Sequence, residues 1–176
     1  ILDLAMIEAG RMDLDISEVD LEALINEAVS IGVTNAADTE VEVIANIDAS
    51  LGTIEADEKR IRQILFNLVS NALRFTDPGG QVSIAAERMG DTARLIVKDN
   101  GRGIPAEEQA TRFDSFTSSD RRGAGLGLSL VKHFVQLHGG NVGIKSQPGG
   151  GTEVVCWIPV EAAPQGGSNT PEKLAA

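Results

Sequence analysis

A chain of 176 residues and 18.5 kDa, 42% hydrophobic and 23% charged, has the make-up of one soluble globular domain, which argues against a multidomain enzyme and a disordered chain alike. The formal net charge of −11 speaks against a nucleic-acid or anionic-membrane surface, and 3% aromatics with no tyrosine against a base-stacking one. The single Cys156 rules out an internal disulfide framework and a thiolate metal cluster; with no apolar run of roughly 20 residues and no signal peptide, the chain reads as cytoplasmic.

In chain order, residues 1–10 carry apolar side chains around most of a helical face (Ile1, Leu2, Leu4, Ala5, Met6, Ile7) and stop at Gly10, as the last turns of a longer helix would. Leu21, Leu24, Ile25, Ala28 and Val29 are spaced for a second helix, and Val41, Val43, Ala45 and Ile47 alternate as a strand. Asp57 is placed to cap a helix that runs to about Phe75 and is broken by Asp77-Pro78-Gly79-Gly80. Residues 81–87 and 92–98 form a hairpin about Met89-Gly90-Asp91, and a long loop follows over residues 99–123. A last helix over residues 125–138 stops at Gly139-Gly140 and gives way to strands near 142–146 and 152–159. This order predicts an α/β fold, a two-layer sandwich in which helices cover one face of a mixed sheet. Residues 161–176 read as a disordered tail.

Three constellations could carry chemistry. On the helix over residues 60–75, Gln63, Asn67, Asn71 and Arg74 step by four, four and three and share a face. Asparagine is a weak helix former, so such a stripe is an odd choice for a solvated face, and its amide oxygens are hard donors suited to Mg²⁺. The second is Val97-Lys98-Asp99-Asn100-Gly101-Arg102-Gly103-Ile104-Pro105. There a strand-end carboxylate precedes a glycine-rich loop and could receive an amine from a flat ring; a plain tight turn explains Asp-Asn-Gly equally well. The third, Gly123-Ala124-Gly125-Leu126-Gly127-Leu128, is a glycine-rich loop becoming a helix, an anion site by its backbone N–H groups. It follows no strand and lacks the Gly-Lys-Ser/Thr pattern, which disfavours a dinucleotide fold and a P-loop.

Taken together and in this order, the three resemble the N, G1 and G2 boxes of the ATP-binding catalytic domain of sensor histidine kinases, in the superfamily shared with gyrase, Hsp90 and MutL. The resemblance spans residues 21–160: Asn67 to Thr76 for the N box, Asp99 to Gly103 for G1 and Gly123 to Leu128 for G2. Arg112-Phe113-Asp114-Ser115-Phe116 is similar to the F box of the kinases, and the opening stub to the end of the second dimerisation helix.

The resemblance implies a Bergerat-type ATP-binding fold over residues 20–160, with residues 1–19 the end of a dimerisation helix and a linker. It implies ATP and Mg²⁺ as ligands: Asn71 on the metal with support from Asn67, Arg74 as a catalytic cation at a position usually occupied by lysine, and Asp99 receiving the adenine amine. Gly101 and Gly103 would border the base, Thr152 would hold a water beside Asp99, and Gly123, Gly125, Leu126, Gly127 and Leu128 would wrap the phosphates. Hydrolytic relatives place a glutamate one turn before the metal-binding asparagine; here that position is Asn67, which cannot act as a base. The implied activity is therefore transfer of the γ-phosphoryl to a histidine on a dimerisation domain, with that domain and a response regulator or other signalling protein as partners. His133 and His138 read as structural, and the acceptor would lie upstream of Ile1. Arg121 and Arg122 could neutralise the γ-phosphate or merely solubilise a loop. The lid, residues 117–122, is short for the family, and Ser115 and Thr117 depart from its usual proline and aromatic. The alternative is a catalytically silent kinase-like module that docks partner proteins; a serine kinase of the anti-sigma type is disfavoured by the F-box-like segment.

Overall fold

The computed structural model describes residues 12–37, 39–109 and 126–162. Strand β1 (Ile16–Asp20) leads into helix α1 (Leu21–Ala36), which Asp20 caps by accepting the Ala23 N–H. Strands β2 (Glu42–Ile47) and β3 (Thr53–Asp57) precede α2 (Glu58–Phe75), capped by Asp57 through the Arg60 N–H at 3.1 Å as the sequence predicts. The hairpin β4 (Gln81–Met89) and β5 (Thr92–Asp99), the short α3 (Ala106–Gln109), α4 (Leu126–Leu137), and strands β6 (Asn141–Gln147) and β7 (Gly151–Pro159) complete the order.

Five strands form one mixed sheet in the order β2-β4-β5-β7-β6, parallel only between β2 and β4. Period-two alternation gives it one inner face, where Val82, Ile84, Ala86, Ala93, Leu95, Val97, Val154, Cys156 and Ile158 are buried. The three long helices pack on that face, burying Ile61, Ile64, Leu65, Leu68 and Val69 of α2 and Val131, Phe134 and Val135 of α4. The two-layer α/β sandwich expected from the element order is what forms. Cys156 sits in this core, where burial pushes its thiol up to about 12, so it behaves as a small inert apolar group.

Two strands go beyond the sequence reading. β1 and β3 pair antiparallel as a separate two-stranded ribbon, so residues 16–19, read as linker, are built into the fold. β3 delivers the chain to the cap of α2, and His138 locks this corner. Its Nε2 accepts the Asp57 N–H at 3.0 Å while Nδ1 bonds the Phe134 carbonyl at 2.6 Å, which sets a neutral ring with its proton on Nδ1. Burial holds the His138 pKa below its ordinary value, partly offset by Phe134 and Asp57. The structural reading of this histidine is thus given its partners.

Candidate functional site

The inner face of the sheet changes character at one end. The cross-strand row Ile84, Val97, Val154 and Ile144 is apolar; the next row over β5, β7 and β6 is Asp99, Thr152 and Ser146. Asp99 is the last residue of β5 and only 5% exposed. Its Oδ1 accepts the Gly101 N–H at 2.9 Å and the Thr152 N–H at 3.2 Å. Burial raises the pKa of this carboxyl, and the two N–H bonds pull it back part of the way. A buried carboxylate aimed along a sheet end, with backbone rather than a cation beside it, is suited to receiving an uncharged N–H donor.

The loop after Asp99 is held from both sides. A Cβ at Gly101 would overlap the carbonyl oxygen of Phe75 at the end of α2, and one at Gly103, whose φ is +71°, would overlap that of Gln147. These glycines let the loop press against the end of α2 and the β6–β7 turn. The Arg102 N–H bonds the Phe75 carbonyl at 3.3 Å, the Gly149 N–H bonds the Arg102 carbonyl at 2.7 Å, and the Arg102 guanidinium stacks 4.5 Å from the Phe75 ring centroid. Arg74 lies 5.7 Å from the same ring. The C-terminal end of α2 at Phe75 is thereby fixed against the loop after Asp99, with Arg74 and Asn71 in the helix turns that lead up to it.

Asn67 lies one turn earlier, and α4 meets it there: a Cβ at Gly127 would sit 3.9 Å from the Asn67 Cβ. Bare backbone at the first turn of α4 thus faces the asparagine stripe, with Leu128 buried behind it. Nδ2 of Asn67 is buried without a hydrogen-bond partner among the described residues. A buried donor left unpaired is costly and calls for an acceptor such as a phosphoryl oxygen. The stripe itself divides. Gln63 accepts from the Arg60 guanidinium at 3.1 Å and lines an apolar cavity of about 390 Å³ between α1 and α2, away from Asn67. That cavity, walled by Leu24, Ile31, Phe66, Val69 and Leu73, lacks the convergent polar groups of the sheet end.

The structure thus brings Asp99, Gly101, Gly103 and Thr152 together at the sheet end, with Asn71 and Arg74 on the helix beside them and Asn67 against Gly127. Gly123, Gly125, the F-box-like residues 112–116, Arg121, Arg122, the lid, the N-terminal stub and residues 163–176 lie outside the described residues. Sequence reasoning missed Ser146, Gln109 and the Arg102–Phe75 stack. Ser146 could have been found by placing β6 opposite β7, since the register sets it beside Thr152.

The family described as histidine kinase-, DNA gyrase B- and HSP90-like ATPase matches residues 56–162. The chain is 42% identical over 172 residues to the sensor protein DivL of Caulobacter vibrioides, covering 98% of this chain and 22% of that protein. Its curated relatives are therefore several times longer. Among solved structures it superposes on the catalytic domain of histidine kinase ThkA with a TM-score of 0.77 at 29% identity, covering 84% of this chain and 97% of that one. ThkA in complex with the response regulator protein TrrA gives 0.73 at 26%, over 89% and 46%. Full-length ShkA in complex with AMPPNP gives 0.82 at 34%, over 93% and 35%. With the helices, sheet and polar row described above, these likenesses lead to one conclusion: the chain belongs to the histidine kinase-, DNA gyrase B- and HSP90-like ATPase family, as an ATP-binding catalytic domain of the sensor histidine kinase kind.

Proposed function

We propose that this chain binds Mg·ATP at the sheet end and presents its γ-phosphoryl to a histidine on a dimerisation domain. The observation that carries the reading is a buried acceptor, Asp99, whose loop packs on the C-terminal end of α2, together with a buried amide donor on that same helix, Asn67, one turn before Asn71 and unpaired among the described residues. Asp99 and Thr152 take the base, and Asn67 Nδ2 supplies a donor for a phosphoryl oxygen at the first turn of α4, where the helix dipole favours negative charge. Asn71 offers a carboxamide oxygen to Mg²⁺. Among the described residues no three His, Cys, Asp or Glu side chains are placed to hold a metal, so the ion would depend on phosphate oxygens and water for its remaining ligands. When bound, it neutralises charge developing on the phosphoryl groups.

Neither Asn67 nor any neighbour named above is a base one turn before Asn71, which supports transfer to a delivered nucleophile over hydrolysis by water. The domain limits proposed are residues 16–160 for the nucleotide-binding unit, widened from residue 20 because β1 pairs with β3, with the residues before it joining it to a dimerisation helix and residues 161–176 a tail. By likeness to the ThkA–TrrA complex, a response regulator is the further partner proposed. No helix among the described residues is long and apolar enough to cross a membrane.

The test adds radiolabelled ATP to the chain together with a separately supplied dimerisation domain bearing the acceptor histidine. Acid-labile label on that domain, and none on this chain alone, is the expected result, because transfer depends chiefly on positioning. ATP binding without any transfer would favour the silent docking module. Label on His133 or His138 would contradict both.

A further inference from the structure

We propose that Ser146 fixes the direction of the Thr152 hydroxyl and thereby makes the base end of the site selective for adenine over guanine. The inference rests on the ATP-binding reading and adds to it a residue that determines specificity without touching the ligand.

The argument is an inventory of protons. A serine hydroxyl carries one O–H donor and two acceptor lone pairs. Around Ser146 Oγ stand three partners among the described residues: the Ile104 N–H at 2.7 Å, the Gly151 carbonyl at 2.9 Å and Thr152 Oγ1 at 2.8 Å. The Ile104 amide can only donate and the Gly151 carbonyl can only accept. The single Ser146 proton therefore goes to Gly151, and the contact with Thr152 is made by the Thr152 proton. Ser146 is then saturated, with one proton given and two received. Thr152 has spent its proton backwards, towards β6, and offers lone pairs alone to the site.

Asp99 is the cross-strand neighbour of Thr152 on the other side, and its ionised carboxylate is also an acceptor only. The sheet end consequently presents acceptors from both residues. Such a site matches the exocyclic amine of adenine, two N–H donors, directly or through a bridging water, and opposes the O6 carbonyl that guanine carries at the same place. Specificity built on buried hydrogen-bond polarity discriminates well because the wrong partner leaves groups unpaired. Gln109 supports the arrangement. Its Nε2 donates to the carbonyls of Ile104 at 2.9 Å and Ser146 at 2.8 Å, tying the loop to β6.

The experiment measures ATP and GTP affinity of the full 176-residue chain by calorimetry for wild type, Ser146→Ala, Ser146→Thr, Thr152→Val and the Ser146→Ala/Thr152→Val double variant. Wild type is expected to prefer ATP. Ser146→Ala frees the Thr152 hydroxyl to turn and donate into the site, and the preference should fall by about threefold to tenfold, the weight of one neutral hydrogen bond. Ser146→Thr keeps the hydroxyl and should keep the preference. In the Thr152→Val background, Ser146→Ala should change the preference no further, since the two act as one unit. ATP and GTP affinities that fall together in Ser146→Ala, or an equal effect of Ser146→Ala with and without Thr152, would overturn the proposal and leave Ser146 a structural pin. Should Ser146→Ala fail to fold by circular dichroism, Ser146→Cys keeps the bulk with a poor donor and acceptor and must show the same loss; an unchanged preference there overturns the proposal. A wild-type chain that binds neither nucleotide would overturn the ATP reading itself, whereas ATP binding whose preference ignores Ser146 overturns this inference alone.

Discussion

Replacing Asp99 by asparagine should move ligand affinity and fold stability in opposite directions. The carboxamide keeps an Oδ1 acceptor for the Gly101 and Thr152 N–H groups at 2.9 and 3.2 Å, so the local backbone has no reason to shift. What disappears is the charge. A hydrogen bond to a charged group contributes about 1.5–3 kcal/mol, so losing its charged character should weaken ATP about tenfold to a hundredfold. The stability effect follows from the raised pKa, caused first by burial. A folded state that holds a proton more tightly than the unfolded chain gains from Asp99 below the ordinary value of 3.8 and loses that gain as pH rises through the folded value. At neutral pH the buried charge therefore costs stability. Asp99→Asn without ligand should melt at a higher temperature than wild type at pH 7, and the difference should shrink as pH falls towards 4. Calorimetric titration with ATP and thermal melts across that pH range check both halves. Unchanged ATP affinity in the folded variant would refute the site, and a lower melting temperature at pH 7 would refute the burial argument.

Asn71→Ala should abolish the Mg²⁺ dependence of ATP binding and leave adenosine binding nearly intact, because in the proposed site the amide oxygen serves the ion while the base is held at Asp99; equal losses for both ligands in titrations would sink the assignment. His138→Ala removes partners from the Asp57 N–H and the Phe134 carbonyl and should cost about 1–3 kcal/mol by chemical denaturation. Because burial lowers the folded pKa of His138, the unfolded chain takes the proton first, and wild-type stability should decline as pH falls below 6.5. The alanine variant should lose that share of the pH slope between pH 7 and 5, and an undiminished slope would show that His138 is not its source.

How far the sequence could be read follows from which interactions are local. The cap at Asp57, the helix to Phe75, the hairpin about Gly90 and the final strands were all legible, because each is signalled by periodicity or turn chemistry within a few residues. The ribbon of β1 and β3 was not. Ile16–Asp20 and Thr53–Asp57 are five residues each and stabilised by pairing across some forty residues of chain, too short for two or three buried positions to stand out as a period. The amide stripe was legible as spacing, yet spacing alone put Gln63 with Asn67; in the structure Gln63 is instead taken up by Arg60 and lines the cavity beside α1.

The same distinction explains why the base end of the site was half visible. Asp99 announces itself by the glycines that follow it, since a loop squeezed between the ends of α2 and β6 must spell out its need for bare backbone. Ser146 is silent, because a serine near a strand end is ordinary chemistry until β6 is laid beside β7 and its hydroxyl is found between a loop amide and Thr152. A residue that binds a ligand directly constrains the chain around it. A residue that orients another through a single proton constrains only the partner's hydrogen, which leaves its trace in register and in hydrogen-bond counting. On the reading proposed, the share of base selectivity that Ser146 adds to Asp99 depends on that kind of residue, and so that share lies in the pairing of strands more than in any motif.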